Sequence, residues 1–296
     1  MKSSFVGLGL DLAQYPFTPQ TFHTADGHQL SYLDEGDGPT VVMAHGNPSW
    51  SYLYRNVITA LKPNYRCLVP DHLGCGFSDK PQDYPYRLQD HIDNFTALLD
   101  SQGIERCVLV VHDWGGAIGM GWAGQHPERV AGLVVLNTAA FHSIRIPRRI
   151  AVCRWPILGD LLVRGLNGFA LPATFMAVSK KMRPEVKAGF LAPYDSWANR
   201  VAVHRFVQDI PLQSGHPSWG SLSQVEDSLE QLRDKPMLIC WGGRDFCFND
   251  QFYTEWRQRF PAAQAHYFPE AGHYVLEDAL PEVLEQLQPF LADCHA

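Results

Sequence analysis

A chain of 296 residues with 46% hydrophobic content can bury a large core and reads as an ordinary soluble globular protein. Its 24 basic and 31 acidic side chains leave a formal charge of -7, without long like-charge blocks. That balance shows no electrostatic footprint for nucleic acid or an anionic membrane, and it favours a small neutral substrate. The seven cysteines are scattered and never form a C-x-x-C pair, which argues against a disulfide framework or zinc site and suits a reducing cytoplasm. The apolar patch from Phe5 to Leu10 stops at Asp11, too short for a secretory core or a bilayer span, so no targeting segment is expected.

From residue 20 onward, short β-rich runs alternate with amphipathic stretches, the signature of a mostly parallel sheet covered by helices. Thr21 to Thr24 and Gln29 to Leu33 flank the turn dipeptide Asp26-Gly27 and predict a hairpin. Val41 to Ala44, Cys67 to Val69, Val108 to Val111 and Leu133 to Leu136 are apolar runs expected of strands buried on both faces. Leu88, Ile92, Phe95, Leu98 and Leu99 recur at helical spacing. The alternation stops near Asn137 and resumes at Pro236 to Trp241, followed by a strand at Gln264 to Phe268 and a helix at Leu280 to Leu291. The expected architecture is therefore an α/β core of eight strands, residues 1–137 and 227–296, with a helical cap inserted at 138–226.

The segment Leu109-Val-Val-His-Asp113-Trp-Gly-Gly joins a buried strand to a small-residue helix through a sharp turn, the layout of a nucleophile elbow. Asp113 holds the nucleophile's place, and Val111 stands where the elbow's first glycine is usual. An aspartate there is also a common helix N-cap, but the surrounding motifs favour chemistry. The loop His45-Gly-Asn47-Pro48 follows a strand and suits one backbone donor of an oxyanion hole, the other being the N–H of Trp114. Downstream, Gly242-Gly-Arg-Asp245 and Ala271-Gly-His273 each follow a strand, giving the order nucleophile, acid, histidine of α/β-hydrolases. Asp250 is the runner-up for the acid. His45 and His112 adjoin motif residues and are expected to support loop geometry.

His45-Gly-Asn-Pro-Ser-Trp50, Asp71-His-Leu-Gly-Cys-Gly-Phe-Ser-Asp79, His112-Asp-Trp-Gly-Gly116 and Gly272-His273 together resemble the haloalkane dehalogenases of the α/β-hydrolase superfamily. The lid runs Ala192-Pro-Tyr-Asp-Ser-Trp197 and Arg205-Phe-Val-Gln-Asp-Ile-Pro211 look like the subfamily that also contains the β-lactone decarboxylases of bacterial olefin synthesis. The resemblance implies that Asp113 displaces halide, Asn47 and Trp114 bind it, and His273 with Asp245 activates water. Some related dehalogenases carry the acid after the sixth strand, where this chain has Asn137.

The chemistry supplies its own reason for an aspartate. Attack by serine at saturated carbon would leave an inert ether, whereas a carboxylate leaves an ester that can be cleaved. Hydrolytic dehalogenation of a small apolar haloalkane, without cofactor or metal, is the leading expectation. The alternative keeps the same nucleophile but turns a cis-β-lactone into an alkene and carbon dioxide. Epoxide hydrolysis ranks lower because the cap's obvious tyrosine is Tyr194 alone, and a non-catalytic binding protein ranks last. The cap offers Phe169, Leu171, Phe175, Met176, Phe190 and Trp197 to an apolar pocket, of which only some are expected to face substrate.

Overall fold

The computed structural model describes residue 11 and residues 13–295, so the apolar patch from Phe5 to Leu10 lies outside the described residues. Eight strands form one sheet: β1 (Gln20–His23), β2 (Gln29–Glu35), β3 (Thr40–Ala44), β4 (Arg66–Pro70), β5 (Cys107–Asp113), β6 (Val130–Thr138), β7 (Met237–Gly242) and β8 (Gln264–Phe268). Their order is β1-β2-β4-β3-β5-β6-β7-β8. The opening hairpin and its junction with β4 are antiparallel, and every other pairing is parallel. Parallel neighbours need crossovers, and these carry helices onto both faces.

The apolar runs obey the two-residue period of a strand. Val41, Met43, Val108, Val110, Val134 and Leu136 join one core cluster, while Val42, Ala44, Leu109, Val111, Leu133 and Val135 join the other. Each such valine, leucine or methionine contributes roughly 1.5–3 kcal/mol on full burial, an upper bound because the unfolded chain is already partly compact. On the first face sit α1 (Arg55–Leu61), through Val57, Ile58 and Leu61, and the C-terminal helix α10 (Leu280–His295), through Val283, Leu287 and Phe290. On the other face sit α2 (Leu88–Ser101), with the predicted stripe of Leu88, Ile92, Phe95, Leu98 and Leu99, and α3 (Trp114–Gln125).

Between β6 and β7 the chain leaves the sheet and builds short helices: α4 (Arg148–Val152), α5 (Ala170–Met176), α6 (Pro184–Leu191), α7 (Val201–Gln208) and α8 (Trp219–Ser228). Residues 161–165 form one turn of π-helix. The insertion is tied down by Asp209, whose carboxylate accepts from the Leu88 N–H at the start of α2 (2.8 Å), from Arg87 (2.8 Å) and from the Ser218 hydroxyl (2.7 Å). Helix α8 returns to the sheet side, packing Leu222 and Val225 against the face that holds α3. α9 (Asp250–Arg259) then links β7 to β8.

Candidate active site

Asp113 ends β5 and starts α3 with φ 51° and ψ -126°, a sparsely populated conformation for a residue with a side chain. The turn is held because its surroundings have no room for alternatives. A Cβ on Gly115 would collide with the Ala44 carbonyl, and one on Gly46 with the Asp113 carboxylate. Val111 is accommodated from the helix side: a Cβ on Gly119 would stand only 2.7 Å from its Cγ1. The departure from the elbow pattern at Val111 is thus compensated one helical turn beyond Gly115.

The carboxylate of Asp113 sits in a fixed electrostatic frame. Its Oδ1 accepts the Asn47 backbone N–H at 2.6 Å, and its Oδ2 lies 3.7 Å from Nε2 of His273. Burial pushes the Asp113 pKa up, while His273 and the backbone N–H groups of Asn47 and Trp114 pull it back. Nδ1 of His273 hydrogen-bonds Oδ2 of Asp245 at 2.7 Å. Burial opposes a charged imidazole there, but Asp245, through charge and hydrogen bond, and Asp113 outweigh it and leave the His273 pKa raised.

Asp245 itself is held from two other directions. Its Oδ1 accepts the Cys247 N–H at 2.6 Å, and its Oδ2 also accepts from the Asn137 amide at 3.1 Å. Asn137 further clasps both backbone groups of Gly242, accepting from its N–H at 2.8 Å and donating to its carbonyl at 3.0 Å. The sequence marked Asn137 only as a strand end without a carboxylate; its bracing role, at a positive φ of 33°, shows only in the structure. Asp250 faces elsewhere, accepting from the Tyr267 hydroxyl at 2.8 Å near the surface.

His112 donates from Nε2 to the His273 carbonyl (2.9 Å) and is kept neutral by burial and by its neighbour His273. His45 accepts the His72 N–H at 3.0 Å and bonds the Gly46 carbonyl at 2.7 Å, fixing the loop that presents Asn47. Asp71 adds the next brace, accepting the N–H of Ser51 at 2.7 Å and of Phe77 at 3.0 Å; burial raises its pKa to about 6.

Asn47, Asp113, Trp114 and His273 share the wall of one cavity of about 490 Å³, within the usual range for small-molecule sites. The Asn47 amide donates to the Val203 carbonyl at 3.1 Å, so α7 orients it, and the Trp114 ring leans on Phe206 of the same helix at 5.3 Å. The rest of the wall is mainly apolar, including Phe141, Ile146, Phe169, Met176 and Leu222. Of the cap residues offered by the sequence, Phe169 and Met176 line this space. Phe190 is buried against Tyr52 and Tyr274, whereas Leu171, Phe175 and Trp197 are exposed. Tyr194 is buried too, its hydroxyl directed to the Ser49 carbonyl at 3.4 Å. Among the described residues no three His, Cys, Asp or Glu side chains form a metal-binding group.

Residues 39–280 match the family defined by the alpha/beta hydrolase fold. The chain belongs to that family. It is 47% identical over 279 residues to a cis-3-alkyl-4-alkyloxetan-2-one decarboxylase of Shewanella oneidensis, spanning 92% of this chain and 88% of that protein. Haloalkane dehalogenase 2 of Mycobacterium tuberculosis is 30% identical over 271 residues, spanning 90% and 92%. The crystal structure of a haloalkane dehalogenase from Bradyrhizobium elkani superposes with a TM-score of 0.86 at 24% identity, covering 94% of this chain and 99% of that one. The fold is therefore that of the haloalkane dehalogenases, while the higher sequence similarity is to a protein named for a β-lactone.

Proposed function

We propose that this protein decarboxylates a cis-β-lactone bearing two alkyl chains, releasing an alkene and carbon dioxide through a covalent ester of Asp113. The observation that carries this choice over dehalogenation is the 47% identity to a decarboxylase against 30% to a dehalogenase, each over about nine-tenths of the chain. It reverses the order in which the sequence motifs placed the two reactions. Both readings use the same carboxylate, and the mechanism below explains why one site suits either.

Two carbons of the lactone ring are open to attack. Attack at the carbonyl would give a mixed anhydride, and water would turn it into a β-hydroxy acid with every carbon–carbon bond intact. Attack at C4, the saturated carbon bearing the ring oxygen, leads to the alkene. Oδ2 of Asp113 approaches from the side opposite the ring oxygen, the C4–O bond breaks, and its electron pair becomes the charge of a free carboxylate on C3. Oδ1 stays in the N–H frame of Asn47 and Trp114 as the carbonyl oxygen of the new ester.

The free carboxylate then lies antiperiplanar to the C4–Oδ2 bond. The C3–carboxyl bond breaks, its electrons form the C3=C4 double bond, and the C4–Oδ2 pair returns to Asp113. Carbon dioxide leaves, both alkyl chains stay on one side, and neither water nor a proton is consumed. Inversion in the first step and anti elimination in the second together preserve the cis relation.

In this sequence of steps the Asn47 amide and the Trp114 indole N–H face the departing ring oxygen, the role that halide would otherwise take. His273, whose pKa Asp245 helps to raise, stabilises in its cationic form the carboxylate that re-forms on Asp113. Removing one such donor from a preorganised site typically costs about 2.7–4 kcal/mol of transition-state stabilisation. The test is a side-by-side assay of the purified protein with a cis-3,4-dialkyl-oxetan-2-one and a 1-bromoalkane. Alkene and carbon dioxide from the lactone, with little bromide released, is the expected outcome; bromide release without alkene would return the assignment to dehalogenation.

A further inference from the structure

The net charge of -7 hides a local reversal. Residues 145–187 carry nine lysines and arginines against two acids, Asp160 and Glu185, a net charge of +7. The rest of the chain is correspondingly acidic. The absence of like-charge blocks read from the sequence holds here too, because the basic residues are dispersed among apolar ones; the reversal shows only in the sum over the segment.

The same segment gathers the exposed apolar surface. Ten large apolar side chains are exposed among the described residues, and nine of them lie between 144 and 197. Ile144, Trp155, Ile157, Leu161, Leu166 and Phe175 stand out furthest. Isolated exposed hydrophobics need no explanation, but a concentration of this kind marks an interaction surface. Ile157 sharpens the point: it is 76% exposed and sits at φ 62°, a conformation that a β-branched residue avoids. A turn tip that needed only to close the chain would be served by glycine or asparagine.

Part of this surface adjoins the cavity. Arg145 and Arg149 are exposed and yet line the cavity, so they mark its rim. Pro172 and Met176 of α5 join them on the wall, next to the exposed Leu171 and Phe175. Arg164 lies over the ring of Trp197 at 4.6 Å and is held there by Asp160 and Gln82, so it braces the apolar face rather than adding free charge to it.

We infer that the face of the insertion around the cavity rim docks on an anionic lipid bilayer surface, burying its apolar side chains among the acyl chains while its arginines and lysines meet the headgroup charges. Charge favours a bilayer over a symmetric dimer. A second copy related by a two-fold axis would bring the same +7 segment against itself, whereas an anionic leaflet is complementary to it. Mixed basic and apolar side chains are the composition of interfacial anchors, which lie in the headgroup region without spanning it. No described helix is long and apolar enough to cross a membrane. Docking in this orientation sets the cavity rim against the lipid, so an apolar substrate or product passes between bilayer and site without crossing water. The inference holds for a β-lactone and for a haloalkane alike, and its failure leaves the reaction untouched.

The test is co-sedimentation of the full chain with vesicles of phosphatidylglycerol and phosphatidylcholine in equal parts, with pure phosphatidylcholine vesicles alongside. Binding to the anionic vesicles is expected, weakening sharply as salt rises from 0.1 to 1 M, where the Debye length falls from about 10 to about 3 Å. Arg148→Glu should weaken partition about fivefold or more, given roughly 1 kcal/mol per basic residue at an anionic surface. The double variant Ile157→Ser with Leu161→Ser should lose most binding while keeping the parent's circular dichroism and melting temperature. Equal binding to both vesicle types, or none to either, overturns the inference. So does a dimer in analytical ultracentrifugation that this double variant dissolves, in the absence of vesicle binding, because it gives the face to a second copy.

Discussion

At the carboxyl ends of β5, β6 and β7, the side chains of Asp113, Asn137 and Asp245 are held by partners inside the protein, and the backbone is clamped by strands on either side. In the insertion above them, helices are short, one turn is π-helical, and large apolar side chains face outward. The two regions meet on one cavity yet answer to different demands. The strand ends hold a few atoms in fixed relation, which the proposed reaction requires, because its ester forms and breaks at one carbon. The insertion fixes Asn47 and Trp114 through α7 but otherwise presents an adaptable apolar wall, which suits alkyl chains that offer no polar group to recognise.

Substitutions should therefore split into a severe class at the strand ends and a mild class in the insertion. Asp113→Asn should have the largest effect, lowering turnover by about 10⁴-fold or more, because an amide is no nucleophile. A melting temperature equal to or above the parent's would accompany it, since a buried carboxylate is exchanged for a neutral group. Retention of a tenth of the activity would remove Asp113 from the chemistry. His273→Gln should let the first step proceed and stall the second. Mass spectrometry of the variant after exposure to lactone should find the whole lactone mass added to the peptide containing Asp113, about one per site. An adduct lighter by carbon dioxide, or none in a folded variant given both lactone and bromoalkane, would break the proposed sequence of steps.

The acid offers a finer contrast within the severe class. Asp245→Asn should slow turnover by roughly 10³–10⁴-fold, by analogy with other histidine-orienting carboxylates, while Asp250→Asn should change it less than about twofold. The reverse ranking would move the acid to Asp250. The pH profile of kcat/KM sharpens the role of the histidine. Asp113 must be ionised and its pKa is raised, so the acid limb should lie above the ordinary aspartate range. His273 must be cationic for decarboxylation and its pKa is also raised. Activity should then fall as pH rises through a value above that of a free histidine. The two limbs belong to the coupled group as a whole. A hydrolytic dehalogenase needs a neutral His273 in its second step and would gain activity on that limb instead. At the mild end, Phe175→Ser should leave stability within about 0.5 kcal/mol and turnover of a dissolved substrate unchanged, because this side chain is 61% exposed and off the cavity wall.

The same division explains what the sequence made legible. Buried parallel strands print continuous apolar runs, and the runs at Val108 to Val111 and Leu133 to Leu136 fall inside β5 and β6. Side chains at strand ends inherit that clarity, which is why Asp113, Asp245 and His273, the groups proposed for the chemistry, could be named before they were seen to meet. Asn137 was noticed only as a missing carboxylate, because its work is a three-way hydrogen-bond contact between distant segments with no local pattern. The cap residues were legible as a composition and not as positions. Short helices bent by proline and glycine carry too few turns for periodicity to say that Phe169 faces the cavity while Phe175 faces out. The local charge reversal was hidden for a related reason: it lies in a sum over 43 residues, diluted by the acidic remainder.

Asn137 also says something about ancestry. Its amide nitrogen and the carboxylate of Asp245 are 3.1 Å apart, one at the end of β6 and one after β7. A lineage could transfer the acid from one strand end to the other by exchanging two neighbouring side chains, without rebuilding a loop. The intermediate with aspartate at both places would crowd two carboxylates around one imidazole, and the one with asparagine at both would leave it without an acid. Passage through the doubly acidic form keeps the imidazole partnered throughout, at the cost of like-charge repulsion that one protonation relieves. In this geometry the two strand ends lie close enough that a carboxylate at either one falls near the same imidazole.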